Sequence, residues 1–239
     1  LNGTFVLGVW DATTRRLRVM TDRLGVCKLY YAHTGRTLRV ATQTKALLAQ
    51  PEISHALDLR GLAHTLTIGH LLDDRTLYDS IRLLPGGAWL DYQLDPPRLT
   101  LTPYWAPRYA TSGRSSSLID CADELARRLT VAVARRIAGV ERIGVALSGG
   151  LDSRTLLGLT RRLHPEHEMH TFTAGHKDAN DLKFARRLAR VCRSRHHDVL
   201  LEADYIARNA ALYVSLTEGM GGATVGSWAL DLAQLATQH

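Results

Sequence analysis

Six consecutive residues, Ser148–Ser153, bring together the groups of this chain best suited to chemistry. They read Ser-Gly-Gly-Leu-Asp-Ser, between the apolar run Ile143–Leu147 and a leucine-rich segment of helical spacing, which predicts a strand, a glycine loop and a helix start. Adjacent glycines let the backbone turn sharply and direct several N–H donors at one point, and the helix start adds partial positive charge. Ser148 and Ser153 add hydroxyl groups, and Asp152 is the one carboxylate of the loop, suited to Mg2+. The segment therefore predicts an ATP site with Mg2+ on the phosphates.

A second interpretation of the same residues is a tight turn in which Asp152 or Ser153 caps the following helix. The order of strand, Ser-Gly-Gly-x-Asp-Ser and helix is more restrictive than a glycine turn, and it resembles the loop of the pyrophosphate-loop ATP pyrophosphatases. The loop contains no lysine and no Gly-Lys-Ser/Thr follows it, so it is not a Walker A sequence. The resemblance implies that the loop holds the β- and γ-phosphates as a leaving group while a nucleophile attacks the α-phosphate.

The composition limits the classes of protein to which the chain can belong. Its 239 residues allow one large or two modest domains, and 45% hydrophobic and 22% charged residues are typical of globular proteins. No stretch approaches about 20 uncharged apolar residues, so no membrane-spanning helix is predicted. The net charge of +7 comes mainly from arginines on polar helix faces without interleaved aromatic residues, so we expect no nucleic-acid partner.

The three cysteines, Cys27, Cys121 and Cys192, lie far apart in the sequence and form no Cys-x-x-Cys pair. This spacing predicts neither a disulfide framework nor a cysteine zinc site, and it fits a reducing cytoplasm. The chain starts at Leu1 rather than Met and has no basic-then-apolar leader, so we expect a piece of a longer polypeptide.

Two different patterns of elements divide the chain. Up to about residue 110, apolar runs separated by turn residues predict a mostly antiparallel domain, with helices near residues 44–49 and 57–68. The polar stretch Ala110–Ser117 has linker composition, which places the domain boundary between residues 1–112 and 113–239. After a helix over 118–138, strands and helices alternate: 142–147, 152–163, 169–174, 181–192, 196–201 and 204–216. That alternation predicts a parallel sheet covered by helices, with ligands at the carboxyl ends of its strands.

Several further motifs precede the glycine loop along the chain. They are Leu1–Asp11, Asp22–Gly25 with Leu29–Tyr31, Leu84-Pro85-x-Gly87, and Tyr104-Trp105. In their order and intervals, these motifs and the loop resemble the glutamine-dependent asparagine synthetases and their relatives, over nearly the whole chain.

The resemblance implies both a fold and an activity. Members of this family join an N-terminal glutaminase domain, an αββα sandwich of the N-terminal-nucleophile type, to a pyrophosphate-loop synthetase domain with a parallel α/β sheet. It implies that residues 1–112 are the second half of the sandwich and that residues 113–239 begin the ATP-binding domain. The implied activity is an ATP-dependent amide-forming ligase like asparagine synthase (glutamine-hydrolysing), in which a carboxylate forms an acyl-adenylate, pyrophosphate leaves, and ammonia displaces AMP.

The resemblance also implies the ligands and their contacts. The substrates would be ATP, a carboxylate such as aspartate, and glutamine or ammonia as nitrogen donor, with Mg2+ as cofactor; no nucleic-acid or membrane partner is implied, and a homodimer is allowed. The backbone at Ala146 and Ala174 would border the adenine, the loop would bind pyrophosphate and Asp152 would ligate Mg2+. The implied ATP-binding residues are Ala146, Leu147, Ser148, Gly149, Gly150, Leu151, Asp152, Ser153 and Ala174. Asp181 and the pair His196-His197 match positions where such synthetases often carry Asp and His, and helix capping is the other interpretation of Asp181.

Departures from the family pattern leave other activities open. The family hydrolyses glutamine with a cysteine at the mature N-terminus, whereas the cysteines here are internal, so no catalytic residue is assigned. The second synthetase signature, Ser-Gly-Glu-Gly-x-Asp-Glu, does not occur in the chain, so we expect this piece alone to be inactive. Arg154, Ala88 and the run Gly25–Lys28 differ from the usual family residues, which leaves open relatives that close β-lactams or form isopeptide bonds. A noncatalytic binding module and a tRNA-modifying enzyme are further alternatives.

Two other sequence features carry weaker predictions. His164, His167 and His170 recur every three residues, but Pro165 interrupts the run and the His-Glu-x-x-His spacing of zinc proteases is absent, so we expect a loop there rather than a metal site. The run Gly219–Ala223 is predicted to be an ordinary loop near the substrate pocket of the family.

Overall fold

The computed structural model describes residues 1–109, 117–219 and 226–239, and the chain forms two compact units. One unit contains Leu1–Tyr109 with Val214–Gly222, and the other contains Ala110–Tyr213 with Ala223–His239. Residues 110–116 of the predicted linker and 220–223 of the predicted glycine loop lie outside the described residues. Within the described ranges, every helix is too short or too polar to cross a bilayer.

The first unit contains two antiparallel sheets, as the sequence predicts. Its strands are β1 (Val6–Asp11), β2 (Arg16–Thr21), β3 (Tyr30–Thr34), β4 (Thr37–Ala41), β5 (Arg82–Leu83), β6 (Ala88–Leu94) and β7 (Pro97–Pro103). One sheet has the order β1-β2-β6-β7 and the other the order β4-β3-β5. Two short helices, α1 (Thr44–Leu48) and α2 (Leu59–Ile68), lie between β4 and β5 in the chain.

Alternation of apolar and polar residues along these strands builds two cores. Val19 of β2 and Leu90 of β6 are at most 3% exposed, and they belong to a cluster that also includes Leu29 and Leu84 and packs against residues of β3 and β4. The opposite side of the three-stranded sheet packs on α1, through a cluster of Tyr30, Ala32, Leu47, Ile53 and Ile81. The layers of this unit are therefore a sheet, a second sheet and a helix.

The motifs of the first unit converge on one carboxylate. Asp22 is 2% exposed, and its oxygens accept hydrogen bonds from the amides of Leu24, Val26 and Cys27 at 3.1 Å and from Phe5 at 3.4 Å. Its carbonyl accepts from the amide of Gly87, and the Gly87 carbonyl accepts from the amides of Tyr104 and Trp105. The sequence resemblance in this unit thus rests largely on residues that hold its backbone together.

The second unit contains the predicted parallel sheet. Its strands are β8 (Arg142–Ala146), β9 (Glu168–Gly175) and β10 (Arg195–Leu200), in the order β10-β9-β8. In chain order, its helices are α3 (Leu118–Ile137), α4 (Leu151–Leu163), α5 (Asn180–Val191), α6 (Tyr205–Thr217) and α7 (Trp228–Ala236). The last residues of α6, from Val214, belong to the first unit. The bounds of the three strands and of α3 to α6 agree with the predicted ones to within one residue, whereas α7 was not predicted.

The two faces of the parallel sheet have different covers. Ile143 and Met169 are paired in register on one face, where they belong to clusters with α3, α4 and α5. Because side chains alternate along a strand, Gly144, His170 and Phe172 point to the other face. Ala236 and His239, at and after the end of α7, line a cavity with them on that side.

Candidate nucleotide site

The glycine loop begins at the carboxyl edge of the parallel sheet. The Leu147 amide donates to the carbonyl of Phe172 at 2.8 Å, which continues the β8–β9 ladder one residue beyond β8. The buried hydroxyl of Thr173 donates to the carbonyl of Leu147 at 2.6 Å. These two bonds fix the last residue before the loop, so Ser148 starts from a rigid position at the strand end.

Two serine hydroxyls close the loop on itself. The Ser148 amide donates to Oγ of Ser153 at 3.1 Å, and the two hydroxyl oxygens lie 2.9 Å apart. The amide of Gly150 donates to Oγ of Ser148 at 3.1 Å. The loop is thereby held in a compact turn, although its residues are largely exposed to solvent.

Helix α4 begins inside this loop without a side-chain cap. Its N-cap residue is Gly150, and no side-chain hydrogen bond caps it. The Ser153 hydroxyl accepts from Ser148, which precedes the helix, so the capping interpretation of Asp152 or Ser153 is wrong in this structure. An uncapped helix start directs free N–H groups and partial positive charge outward, as an anion site requires.

The side chains of Asp152 and Arg154 differ in the contacts that they make. The Asp152 side chain is exposed and makes no hydrogen bond or ion pair to any residue that the structure describes, so its carboxylate oxygens face solvent beside the loop. The Nε of Arg154 donates to the Gly150 carbonyl at 3.0 Å, which places the guanidinium against the loop backbone. Asp152 thus offers oxygen ligands for a hard cation, and Arg154 adds positive charge at the same turn.

Asp181 contacts the glycine loop, although it lies 32 residues away in the sequence. Its Oδ1 accepts the Gly149 amide at 3.0 Å, and a Cβ built on Gly149 would overlap that same oxygen. Helix α5 has Ala179 as its N-cap with no side-chain cap bond, so the Asp181 carboxylate serves the loop and not its own helix start. The sequence motif marked this residue, but only the fold shows that it meets the loop.

The two alanines expected to border adenine share one face of the sheet. Ala146 ends β8 and pairs with Phe172, while Ala174 lies two residues further along β9. Ala146 is exposed and Ala174 is half-buried, on the side opposite Ile143 and Met169. The backbone here is therefore accessible next to the start of the loop.

The histidines named in the sequence separate in the fold. His164 and His167 contact each other, with 3.3 Å between their Nδ1 atoms, whereas His170 lies inside β9. His196 contacts Thr171 and Asp198 on one face of the sheet, and His197 lies on the other face with His170. The loop contacts found for the described residues include none of these histidines.

The geometry defines a mixed α/β protein with a parallel sheet and a glycine loop at its carboxyl edge. The family model for asparagine synthase matches residues 124–239, and the model for the glutamine amidotransferase domain matches residues 1–105. The chain belongs to the glutamine-dependent asparagine synthetase family.

Individual relatives agree with this assignment. A Mycobacterium tuberculosis protein provisionally named asparagine synthetase (glutamine-hydrolyzing) is 28% identical over 85% of this chain and 32% of its own length. Asparagine synthetase (glutamine-hydrolyzing) 3 of Bacillus subtilis is 28% identical over 77% of this chain and 30% of its own length. The chain thus spans about a third of the length of these relatives. A solved ammonia-dependent NAD synthetase of Campylobacter jejuni is 15% identical and covers 40% of this chain and 41% of its own, with a TM-score of 0.28, a likeness too slight to carry an argument.

Proposed function

We propose that this sequence is part of an amide-forming ligase that activates a carboxylate with ATP as an acyl-adenylate and releases pyrophosphate. One observation carries the proposal: within the Ser148–Ser153 loop, the first turn of α4 presents amides without a side-chain cap at the carboxyl edge of a parallel sheet, in a family of glutamine-hydrolysing asparagine synthetases. Ligands of open α/β sheets bind at that edge. The geometry of the loop and the family assignment therefore both support ATP as a substrate.

The loop residues would divide the work of holding the leaving group. The amides of Leu151 and Asp152, in the first turn of α4, would donate to phosphate oxygens, and the Ser148 and Ser153 hydroxyls keep the turn closed. These donors stabilise the negative charge that builds up on pyrophosphate as the bond to the α-phosphorus breaks. Asp152 would hold Mg2+, since an exposed carboxylate without a competing partner among the described residues fits that ion, and Mg2+ offsets phosphate charge when it is bound.

Asp181 would change partners when the nucleotide binds. The amide of Gly149 points at Asp181 in this structure, and a phosphate oxygen would compete for the same donor. A phosphate oxygen on the Gly149 amide and the Asp181 carboxylate would repel each other, because both are negatively charged and would lie within a few ångströms (about 3–4 Å) of each other. The carboxylate would therefore turn away from the amide, toward the Mg2+ bound to the phosphates. We assign Asp181 as a positioning residue of the loop.

The remaining parts of the proposal follow the family. Ala146, Leu147 and Ala174 would border the adenine with their backbone, and the acceptor would be aspartate or another carboxylate, with glutamine or ammonia as the nitrogen donor. Residues 1–112 would be the second half of an αββα glutaminase sandwich; its sheet, sheet and helix layers support this. Residues 113–239 would begin the synthetase domain, in a cytoplasmic protein, and this piece alone would not turn over.

Exchange of radiolabelled pyrophosphate into ATP tests the proposal in the longer protein that contains this sequence, with aspartate and other carboxylates offered in turn. We expect exchange with one carboxylate class, a loss of at least about tenfold for Asp152→Ala, and no change for Asp123→Ala, an exposed carboxylate of α3. Exchange that persists undiminished in Asp152→Ala would remove Asp152 from the site. ATP binding without exchange for any carboxylate would favour the noncatalytic module instead.

A further inference from the structure

Two histidines from neighbouring strands and a third that follows α7 meet on the sheet face that α7 covers. Nδ1 of His170 and Nε2 of His197 lie 2.9 Å apart, and the planes of these two rings differ by only 2°. The His239 ring lies over His197, with 4.0 Å between the ring centroids. One ring nitrogen from each histidine falls within 4.8 Å of the others. Three potential nitrogen ligands thus surround a single point.

The spacing is close to that of a bound transition-metal ion. Two nitrogens on a tetrahedral zinc, each about 2.1 Å from the metal, lie about 3.4 Å from each other. The hydrogen bond between His170 and His197 would open by about 0.5 Å to admit an ion in place of the shared proton. The exposed side chain of His239 would have to rotate out of its stack on His197 to bring a nitrogen to the same point, while Arg142 holds the backbone carbonyl of His239 at 2.8 Å.

The Glu168 carboxylate contacts the ring nitrogen of His170 that does not contact His197, an arrangement that is common in metal sites. His170 is 5% exposed, and its second ring nitrogen, Nε2, lies 3.3 Å from Oε1 of Glu168. Ligating histidines commonly donate their other N–H to a carboxylate, which fixes the tautomer and makes the ligand more basic. Arg195 contacts the same Glu168 oxygen at 2.6 Å and holds the carboxylate in place. This contact points to a ligand role for Nδ1 of His170.

The ligand atoms and the nearby charge decide which ions the cluster suits. Three imidazole nitrogens suit zinc, nickel or copper and not Mg2+, which prefers oxygen. Arg142 lines the same cavity of about 360 Å³ and opposes any cation there, so the affinity must come from the nitrogen ligands.

We propose that His170, His197 and His239 bind one divalent transition-metal ion, of which zinc is the reference case, with water in the fourth position. His170 and His197 are each the third residue of their strands, so the ion would lie in the amino-terminal half of the sheet. The glycine loop is at the opposite, carboxyl edge of the sheet. The metal would therefore be a structural ion that links β9, β10 and the segment after α7, and it would not be part of the nucleotide site.

Equilibrium dialysis of the full chain against Zn2+, with the affinity tag removed, tests the proposal. We expect one zinc per chain, an increase of at least about tenfold in Kd for His239→Gln and for His197→Gln, and a rise in melting temperature with Zn2+ that both variants lose. The exposed His239 is the primary test because its substitution removes no buried side chain. His196→Gln, on the other face of the sheet, and His167→Gln, from the second histidine pair, are the matched controls and should leave Kd unchanged.

Two results would overturn the proposal. One is the absence of saturable binding in the unaltered chain, and the other is zinc binding that His239→Gln and His197→Gln leave intact or that His167→Gln abolishes. Titration with Mg2+ and ATP in the same variants is a separate readout, since the ligase proposal predicts that His239→Gln leaves it unaffected. Failure of the metal site and failure of the nucleotide site are therefore distinguishable.

Discussion

In each unit, one buried polar side chain holds the backbone in place near the sequence motifs. Asp22 accepts four backbone amides in the first unit, and Thr173 ties β9 to the residue before the glycine loop in the second. In each case one side chain satisfies backbone groups that would otherwise be buried without partners. Their substitution should therefore affect stability more than exposed substitutions of the same type.

Asp22→Ala should lower the melting temperature by several degrees, because it removes the acceptor of four amides. The hydrogen bond from Cys27, with those from Val26 and Leu24, lowers the pKa of Asp22 below 3.8, although burial opposes the shift. The native state then holds this proton less tightly than the unfolded chain, so the stabilisation is present above pH 3.8 and is lost as pH falls through the lowered pKa. Thermal melts of the parent and of Asp22→Ala between pH 2 and pH 7 measure this effect. A difference in melting temperature that stays the same at the acidic end of this range would contradict the explanation.

Thr173→Val should lower the free energy of unfolding by about 1–2 kcal/mol, because the Leu147 carbonyl loses its buried donor. Thr155→Val is the matched control: its hydroxyl also donates to a carbonyl, that of Leu151 at 2.8 Å, but on an exposed helix face. The control should change stability by no more than about 0.5 kcal/mol. Urea denaturation measures both, and equal losses would mean that burial of the Thr173 hydroxyl is unimportant.

At the scale of elements, periodicity was sufficient for the second unit. Apolar spacing in 142–147, 169–174 and 196–201 predicts three strands, and β8, β9 and β10 occupy those positions. Only β9 is buried along most of its length, whereas β8 and β10 keep exposed or half-buried residues, so the alternation of strand and helix patterns located these two strands and not a continuous apolar run. Strand β5 has only two residues, Arg82–Leu83, and pairing with β3 forms it, so no local pattern could reveal it.

Two glycines, one inside α4 and one in the turn before β6, should respond oppositely to alanine. Gly158 lies in the exposed middle of α4 and a Cβ there meets nothing within 4 Å, so Gly158→Ala should raise the free energy of unfolding by about 0.5–1 kcal/mol. A Cβ on Gly86 would lie 2.6 Å from the backbone of Leu24 and Gly25, so Gly86→Ala should lower it by about 1–3 kcal/mol. Chemical denaturation of the two variants beside the parent gives both values. A loss for Gly158→Ala would show that the helix is packed at that position.

For the whole molecule, sequence motifs were sufficient to identify the family. The contacts between residues that are distant in sequence are visible only in the fold. The loop Ser148–Ser153 is continuous in sequence, so its strand, turn and helix could be predicted. Asp181 reaches the loop from 32 residues away, and His170 and His239 of the histidine cluster are 69 positions apart. Such contacts depend on strand order and register, which a single sequence does not specify locally.

Calorimetric titration of the chain with ATP, with and without Mg2+, is the sharpest test of nucleotide binding at the Ser148–Ser153 loop, because it does not require turnover. We expect saturable binding of one ATP, weakened at least about tenfold when Mg2+ is withheld or when Asp152 is replaced by alanine, and unchanged in Asp123→Ala. Binding that is absent in the parent chain, or that is equally tight in Asp152→Ala, would contradict this expectation.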